Sequence, residues 1–297
     1  MWKRWFLGKG SIQTKLLVSY VLLIVVPLGS FNLLSNYFSS KSVEEQVSQN
    51  HLKTLMQINE KIEMVMDNII AISNIYYLND DVRIALVEPY VSKSFEEAQR
   101  LRALNQLYAN YTYAFGQLKY RVNLVGRNGF EYHSDDSQPK YEAELWRQTA
   151  WYPEAVRKNG SIVWISGPST EMPLRTKGKH EFSAVRLIKR FETDRELGLL
   201  ILSIDEKEIQ RFYESAEIGQ QRIEIVDGQG NIISSRDKTR LFENIKGSAV
   251  FEKALTAKSG YYIEEVDQKR TLVTITTVEK TGWIIIPIHR LVNCLKI

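Results

Sequence analysis

Nineteen consecutive residues, Leu16 to Leu34, carry no charged side chain, and this run decides where everything after it can fold. At about 1.5 Å of rise per residue it spans roughly 28 Å as a helix, close to the hydrocarbon thickness of a bilayer. Lys3, Arg4, Lys9 and Lys15 precede it with no acid among them, and a polar segment with Ser35, Asn36, Ser39 and Ser40 follows. The positive-inside bias places residues 1–15 in the cytoplasm, residues 16–34 across the cell membrane as a single pass, and the bulk of the chain outside. A cleaved signal peptide is the competing reading. Its apolar core would be shorter, about 7–15 residues, and would end at small residues in an Ala-x-Ala-like pattern. No such site follows Leu34. Pro27 inside the run is compatible with a membrane helix, where neighbouring groups re-satisfy the freed backbone.

The remainder reads as globular. The chain is 44% hydrophobic and 25% charged, near the soluble average, and long enough for two modules of about 100 residues. The net charge is only +4, and four of the basic residues belong to the membrane signal. No basic tract or aromatic-basic stripe points to nucleic acid. A single cysteine, Cys294, excludes an internal disulfide framework.

After the span, residues 35–78 form an expected long helix without Pro or Gly. Leu55, Ile58, Ile62, Val65, Ile69, Ile72 and Tyr76 recur at alternating steps of three and four, a heptad seam. The seam can be buried against the helix's own domain, with part of the same helix also serving a parallel homodimer. A second amphipathic helix is expected from Ser94 to about Ala114, its apolar side carrying Phe95, Ala98, Leu101, Leu104, Leu107, Tyr108 and Tyr111. Beyond Phe115 the pattern changes to strands and repeats. Arg121 to Gly129 followed by Phe130 to Ser134 matches Arg222 to Gly230 followed by Asn231 to Ser235; each is a hairpin closed by Gly. Lys158-Asn-Gly160 precedes a strand at 161–165, and Lys258-Ser-Gly260 precedes one at 261–266. Two strands close each module, 181–191 and 198–204 in the first, 270–278 and 283–288 in the second. Helical segments are expected at 141–158 and 241–257, and a short helical linker at 205–218. Each module therefore reads strand–strand–helix–strand–strand–strand, an α+β arrangement with helices packed on one face of an antiparallel sheet.

These residues resemble the double Cache (dCache) family: an N-terminal membrane helix, a long extracellular helix and two tandem PAS-like antiparallel-sheet modules. Trp151-Tyr152 followed by Ala155 is similar to a W-Y-x-x-A segment of the membrane-distal module. Gly198 to Asp205 is similar to the strand that closes it, and Thr281-Gly-Trp283 to the start of the strand closing the proximal module. The basic N-terminus, Ser11 to Lys15 and the span with Pro27 are most similar to YesM-like two-component sensor histidine kinases. The resemblance implies a membrane-distal module at 79–205 and a membrane-proximal module at 206–290. It implies a small-molecule ligand or a solute-binding protein as partner, a homodimer, and a signal carried through the helices. A complete relative continues into a second membrane helix, a HAMP linker and a kinase core. Residues 291–297 are too short and interrupted for that helix, so they read as a truncated tail. The same sensor attached to a chemoreceptor or cyclase, and a stand-alone anchored solute-binding protein, are the alternatives. The amino-acid-binding branch of the family has an Arg two residues before the Trp; here that position is Thr149, and the acid expected after the third strand has Glu171 as its nearest candidate. An amino-acid ligand is therefore not expected.

No catalytic motif is present: no phosphate loop, no H-E-x-x-H and no G-x-S-x-G. His51, His133, His180 and His289 are dispersed, with no metal spacing, and nothing calls for a cofactor. His133 to Asp136 reads as a solvated hairpin end, with a cation site as the sharper alternative. The aromatic residues are the better pointer. Trp146, Trp151, Tyr152 and Trp164 fall close together in the first module, as concave ligand sites with aromatic walls require. Arg147, Ser166 and Arg186 are the candidate polar contacts; core packing is the competing role for each ring.

Overall fold

The computed structural model describes residues 12–115, 118–135, 143–167, 180–190, 193–214, 222–257, 259–266 and 269–290. The expected tail at 291–297, the N-terminal 1–11 and Glu171 lie outside them. Helix α1 runs Ile12–Leu78 and is followed by α2 (Asp80–Val87) and α3 (Phe95–Ala114). The first sheet contains β1 (Tyr120–Gly126), β2 (Glu131–His133), β3 (Val163–Ile165), β4 (Glu181–Lys189) and β5 (Glu196–Asp205), with α4 (Ala143–Arg147) and α5 (Tyr152–Arg157) between β2 and β3. After α6 (Glu206–Glu214) come β6 (Arg222–Val226), β7 (Ile232–Ser235), α7 (Ala249–Thr256), β8 (Ser259–Val266), β9 (Lys269–Val278) and β10 (Trp283–Arg290).

The chain divides into two units, residues 1–51 with 292–297, and Leu52–Leu291. In the first, the apolar side chains of residues 16–34 point outward, from Leu16 and Leu17 through Leu33 and Leu34. Among the described residues α1 is the one helix long and apolar enough to cross a membrane. Pro27 cannot donate to the preceding turn. Ser30 Oγ lies 2.5 Å from Val26 O, a side-chain bond of the kind hydroxyls make inside apolar helices.

In the second unit both sheets are antiparallel and share one topology. The strand order is β2-β1-β5-β4-β3 in the first and β7-β6-β10-β9-β8 in the second. The repeat extends to backbone geometry. Gly129 and Gly230 close the two hairpins with φ of +90° and +89°. Gly126 N donates to Phe130 O at 2.7 Å, as Asp227 N does to Asn231 O at 3.0 Å. Gly198 on β5 stands opposite Gly126, and a Cβ there would lie 2.3 Å from Val125 O. The strands thus approach as only glycine allows.

The expected seam is buried throughout: Leu55, Ile58, Ile62, Val65, Ile69, Ile72 and Tyr76 join one core with the facing sides of both sheets. Val122, Leu124, Phe182, Leu200 and Leu202 come from the first sheet, and Ile223, Ile225, Trp283 and Ile285 from the second. Phe182 and Trp283 meet at 4.6 Å between ring centroids, joining the modules. Each buried side chain of this kind contributes about 1.5–3 kcal/mol. Polar contacts add direction. Lys280 Nζ, in the β9–β10 turn, lies 2.8 Å from Asp67 Oδ2 and 3.1 Å from Glu63 Oε2 of α1. At the junction, α6 follows β5 directly and buries Glu206, which accepts from Ser234 Oγ at 2.5 Å and pairs with Lys238 Nζ at 2.5 Å.

Three local expectations change. Residues 141–158 are not one helix: α4 and α5 are separate, with Pro153 in the first turn of α5 and Thr149 Oγ1 donating to Trp146 O at 2.7 Å, in the α4–α5 connection. Residues 241–248 form turns around an isolated bridge at Asn244, held to the β7 edge by Phe242 N donating to Ile232 O at 2.8 Å and Ile232 N donating to Glu243 O at 2.9 Å, and only Ala249–Thr256 is helical behind the Ser248 cap. Phe95, placed on the apolar side of α3, is 75% exposed, whereas Leu104 and Leu107 are buried. Ser94 caps that helix as a capping box would, its Oγ accepting from Glu97 N at 3.0 Å.

Candidate functional site

Strand alternation divides the first sheet into two faces. One face meets α1. The other carries Val125, Val163, Ile165, Val185, Leu187, Leu199 and Ile201, which form a second core with Trp146, Trp151 and Ala155. Trp146 is fully buried at α4, and Trp151 is 8% exposed just before α5; their ring centroids are 6.2 Å apart. Tyr152 packs at the rim of this cluster. Its hydroxyl lies 3.0 Å from both carboxylate oxygens of Glu196. Burial, then the Glu196 hydrogen bond, push its pKa up, and Arg147 beside it opposes this. Glu196 also pairs with Arg127 at 3.3 Å.

Toward the start of β1 the same face turns polar. Arg121 forms an ion pair with Glu181. Asn123 is 2% exposed, and its Oδ1 accepts from His133 Nδ1 at 2.8 Å. His133 Nε2 lies 3.5 Å from Glu131 Oε2. Ser183 Oγ and Ser203 Oγ bond at 2.8 Å. Among the described residues nothing accepts from Asn123 Nδ2, and a buried donor left unmatched costs about 1–3 kcal/mol. A cleft of about 280 Å³ adjoins this end, lined by Arg121, Ser203 and Asp205 of the sheet and by Lys207 and Arg211 of α6. The face thus offers an aromatic wall, an apolar floor and fixed polar groups, the ingredients of a small-solute site. Among the described residues, no group of three His, Cys, Asp or Glu side chains is placed to hold a metal.

The structure brings Trp146, Trp151, Tyr152 and Arg147 together on this side. Trp164 and Arg186 are on the opposite face. Trp164 packs against the α1 core. Arg186 Nε donates to Gly160 O at 2.6 Å, and its NH1 group to Asn74 Oδ1 at 2.6 Å and Ser73 Oγ at 3.3 Å. Its guanidinium carbon sits 3.9 Å from the Tyr77 ring centroid. Ser166 follows β3 and is half-buried. His133 is no solvated hairpin end: its side chain is 9% exposed, enclosed by its cross-strand partner Asn123 and by Glu131. Of this polar set, Arg121, Asn123, Glu131, Glu181, Ser183 and Ser203 escaped sequence reasoning, and the sequence singles out His133 only as a hairpin end or cation ligand. The one signal of the set is the pair of polar residues, Arg121 and Asn123, at alternate positions of a strand otherwise apolar.

In the second module Glu224 occupies the position of Asn123. It is buried and pairs with Arg240 Nε at 2.9 Å, while Phe251 and Ala254 of α7 cover the adjoining apolar floor.

A family model described as a Cache domain, dCache_1, matches residues 39–288. The chain belongs to the double Cache family. No curated protein sequence matches it. Solved structures do. The sensory domain of the Campylobacter jejuni chemoreceptor Tlp3, with isoleucine bound, is 16% identical, with 85% of this chain and 96% of that one covered and a TM-score of 0.57. The V. cholerae histidine kinase DctB sensor domain is 12% identical over 84% and 99%, with a TM-score of 0.59. The Pseudomonas aeruginosa chemoreceptor PctC ligand-binding domain, in complex with GABA, is 14% identical over 82% and 99%, with a TM-score of 0.57. At such identities these likenesses show the fold. The two sheets of this Cache domain are its tandem PAS-like modules.

Proposed function

We propose that this chain is the membrane-anchored, extracytoplasmic sensor region of a YesM-like two-component histidine kinase, acting by binding rather than by catalysis. Residues 16–34 anchor it with the N-terminus in the cytoplasm, residues 79–205 form the distal module and residues 206–290 the proximal one. The observation that carries the reading is the distal face, where Trp146, Trp151 and Tyr152 share one side of the first sheet with the buried Asn123–His133 pair. A small solute held there favours one arrangement of the helices in a homodimer. It shifts that equilibrium only by its differential affinity for the two states. The likeness to a histidine kinase sensor domain and the basic N-terminal pattern favour the kinase output. Attachment to a chemoreceptor is the second reading, favoured by the likeness to Tlp3 and PctC.

A thermal-shift screen of sugars, organic acids, amines and amino acids is expected to yield a stabilising solute. At a hundred times its dissociation constant it adds about 2.7 kcal/mol. Trp151→Ala should abolish the shift in a protein that stays folded. L-amino acids are expected to give none: Thr149, in place of an Arg, spends its hydroxyl on Trp146 O. A hit that survives Trp151→Ala and Tyr152→Ala but is lost on changes within 222–288 would move the site to the proximal module.

The topology has its own test. Protease added to intact spheroplasts should digest the chain beyond about Ser40. Full protection would reverse the orientation, and a mature N-terminus near residue 35 would make the span a signal peptide.

A further inference from the structure

We propose that Arg186 is a positioning residue that couples the wall of the distal face to the end of the long helix. The inference rests on the reading of that face as the ligand site. Trp151 and Tyr152 lead into α5, and α5 ends in a tightly defined turn. Lys158 N donates to Glu154 O at 2.8 Å and Ser161 N to Lys158 O at 3.0 Å. Asn159 and Gly160 follow one another in the left-handed region, with φ of +50° and +89°. These backbone bonds, with Asn159 N donating to Val156 O at 3.1 Å, tie the turn to the end of α5, so a shift of α5 carries Gly160 with it. The carbonyl of Gly160 is the acceptor that Arg186 Nε holds at 2.6 Å.

The other side of the same guanidinium belongs to α1. Asn74 Oδ1 and Ser73 Oγ accept from it, and Tyr77 lies under it. A Cβ on Gly160 would come within 3.2 Å of Tyr77 Oη, so the turn also abuts α1 directly. One planar fork therefore joins three segments: β4, the α5–β3 turn and the last two turns of α1. The apolar packing of Ile69, Ile72 and Tyr76 sets which side of α1 faces the sheet, but it is non-directional and gives this end of the helix no polar direction. The guanidinium supplies that direction, and a lysine ammonium cannot serve the same spread of acceptors with a stacked plane. The proximal module grips α1 separately, through Lys280 on Glu63 and Asp67. Six residues of helix, about 9 Å, separate Asp67 from Ser73, so a change at the distal face acts on α1 against a fixed point.

The test is a double-mutant cycle on the full chain in lipid nanodiscs, read by amide hydrogen exchange over residues 70–78. Trp151→Ala disturbs the wall, and Arg186→Gln removes the fork. Trp151→Ala is expected to speed exchange about fivefold with Arg186 present, about 1 kcal/mol at 1.36 kcal/mol per tenfold, and to have little further effect in Arg186→Gln. Arg186→Lys should behave as Arg186→Gln. If Trp151→Ala unfolds the module, Trp151→Phe replaces it in the same cycle. Equal effects in the two Arg186 backgrounds, or no effect at residues 70–78 in the native background, overturn the proposal. No ligand enters this experiment. Failure of the cycle therefore leaves a Trp151-dependent solute hit standing, and failure of the solute screen leaves a positive cycle standing as a mechanical coupling alone.

Discussion

Ile62→Asp is expected to unfold the Cache unit. Ile62 is fully buried at the centre of the seam, in the core shared by α1 and both sheets. A carboxylate there has no partner to offset its desolvation, which costs several kcal/mol against a total stability of about 5–15 kcal/mol. Circular dichroism melting of the soluble unit should show a large loss of melting temperature, or no cooperative transition. Because all seven seam residues are consumed within the chain, the loss should not depend on protein concentration. An unchanged melting temperature would mean that the seam is not buried; a loss that disappears at high concentration would return the seam to a dimer contact.

Trp146→Ala should come next in size. The indole is fully buried among Val125, Leu187, Leu199 and Ile201, and truncating such a ring costs about 3–5 kcal/mol. The loss falls on a helix of five residues, too short to persist without tertiary contacts. Trp151 packs against the same ring at a tilt of 57°, so the wall loosens and the solute shift should vanish together with the stability. Trp164→Ala is the matched control. That ring is half-buried on the α1 side, so its removal should destabilise the unit less and leave solute binding in place. Loss of binding in Trp164→Ala with binding kept in Trp146→Ala would put the site on the wrong face of the sheet.

Much of the architecture was written locally. An uncharged run preceded by basic residues specifies a helix long and apolar enough to cross a membrane. A three-four apolar spacing in a segment without Pro or Gly specifies a helix with one buried side, and the seam is buried residue for residue. The two hairpins were legible because a five-residue turn with a left-handed glycine needs Gly at one position, and the chain places it there twice, 101 residues apart, with nearly identical φ. The helix, its apolar stripe and the two turns each follow from near-neighbour spacing, so sequence alone determined them; the contacts that bury the stripe come from both sheets. The site did not work that way. Strands β4 and β5 are buried on both faces, which removes the apolar-polar alternation that would mark an inside and an outside. Trp151 and Trp164 looked equivalent in sequence; cross-strand pairing and the position of α1 sent them to opposite sides. Arg186 offered the charge a ligand contact needs, but α1 brought Ser73, Asn74 and Tyr77 within its reach from more than a hundred residues away. Asn123 and His133 became a buried pair only because β1 and β2 align in that register. Which side chains share a face depends on long-range pairing, and that was decided by the tertiary structure.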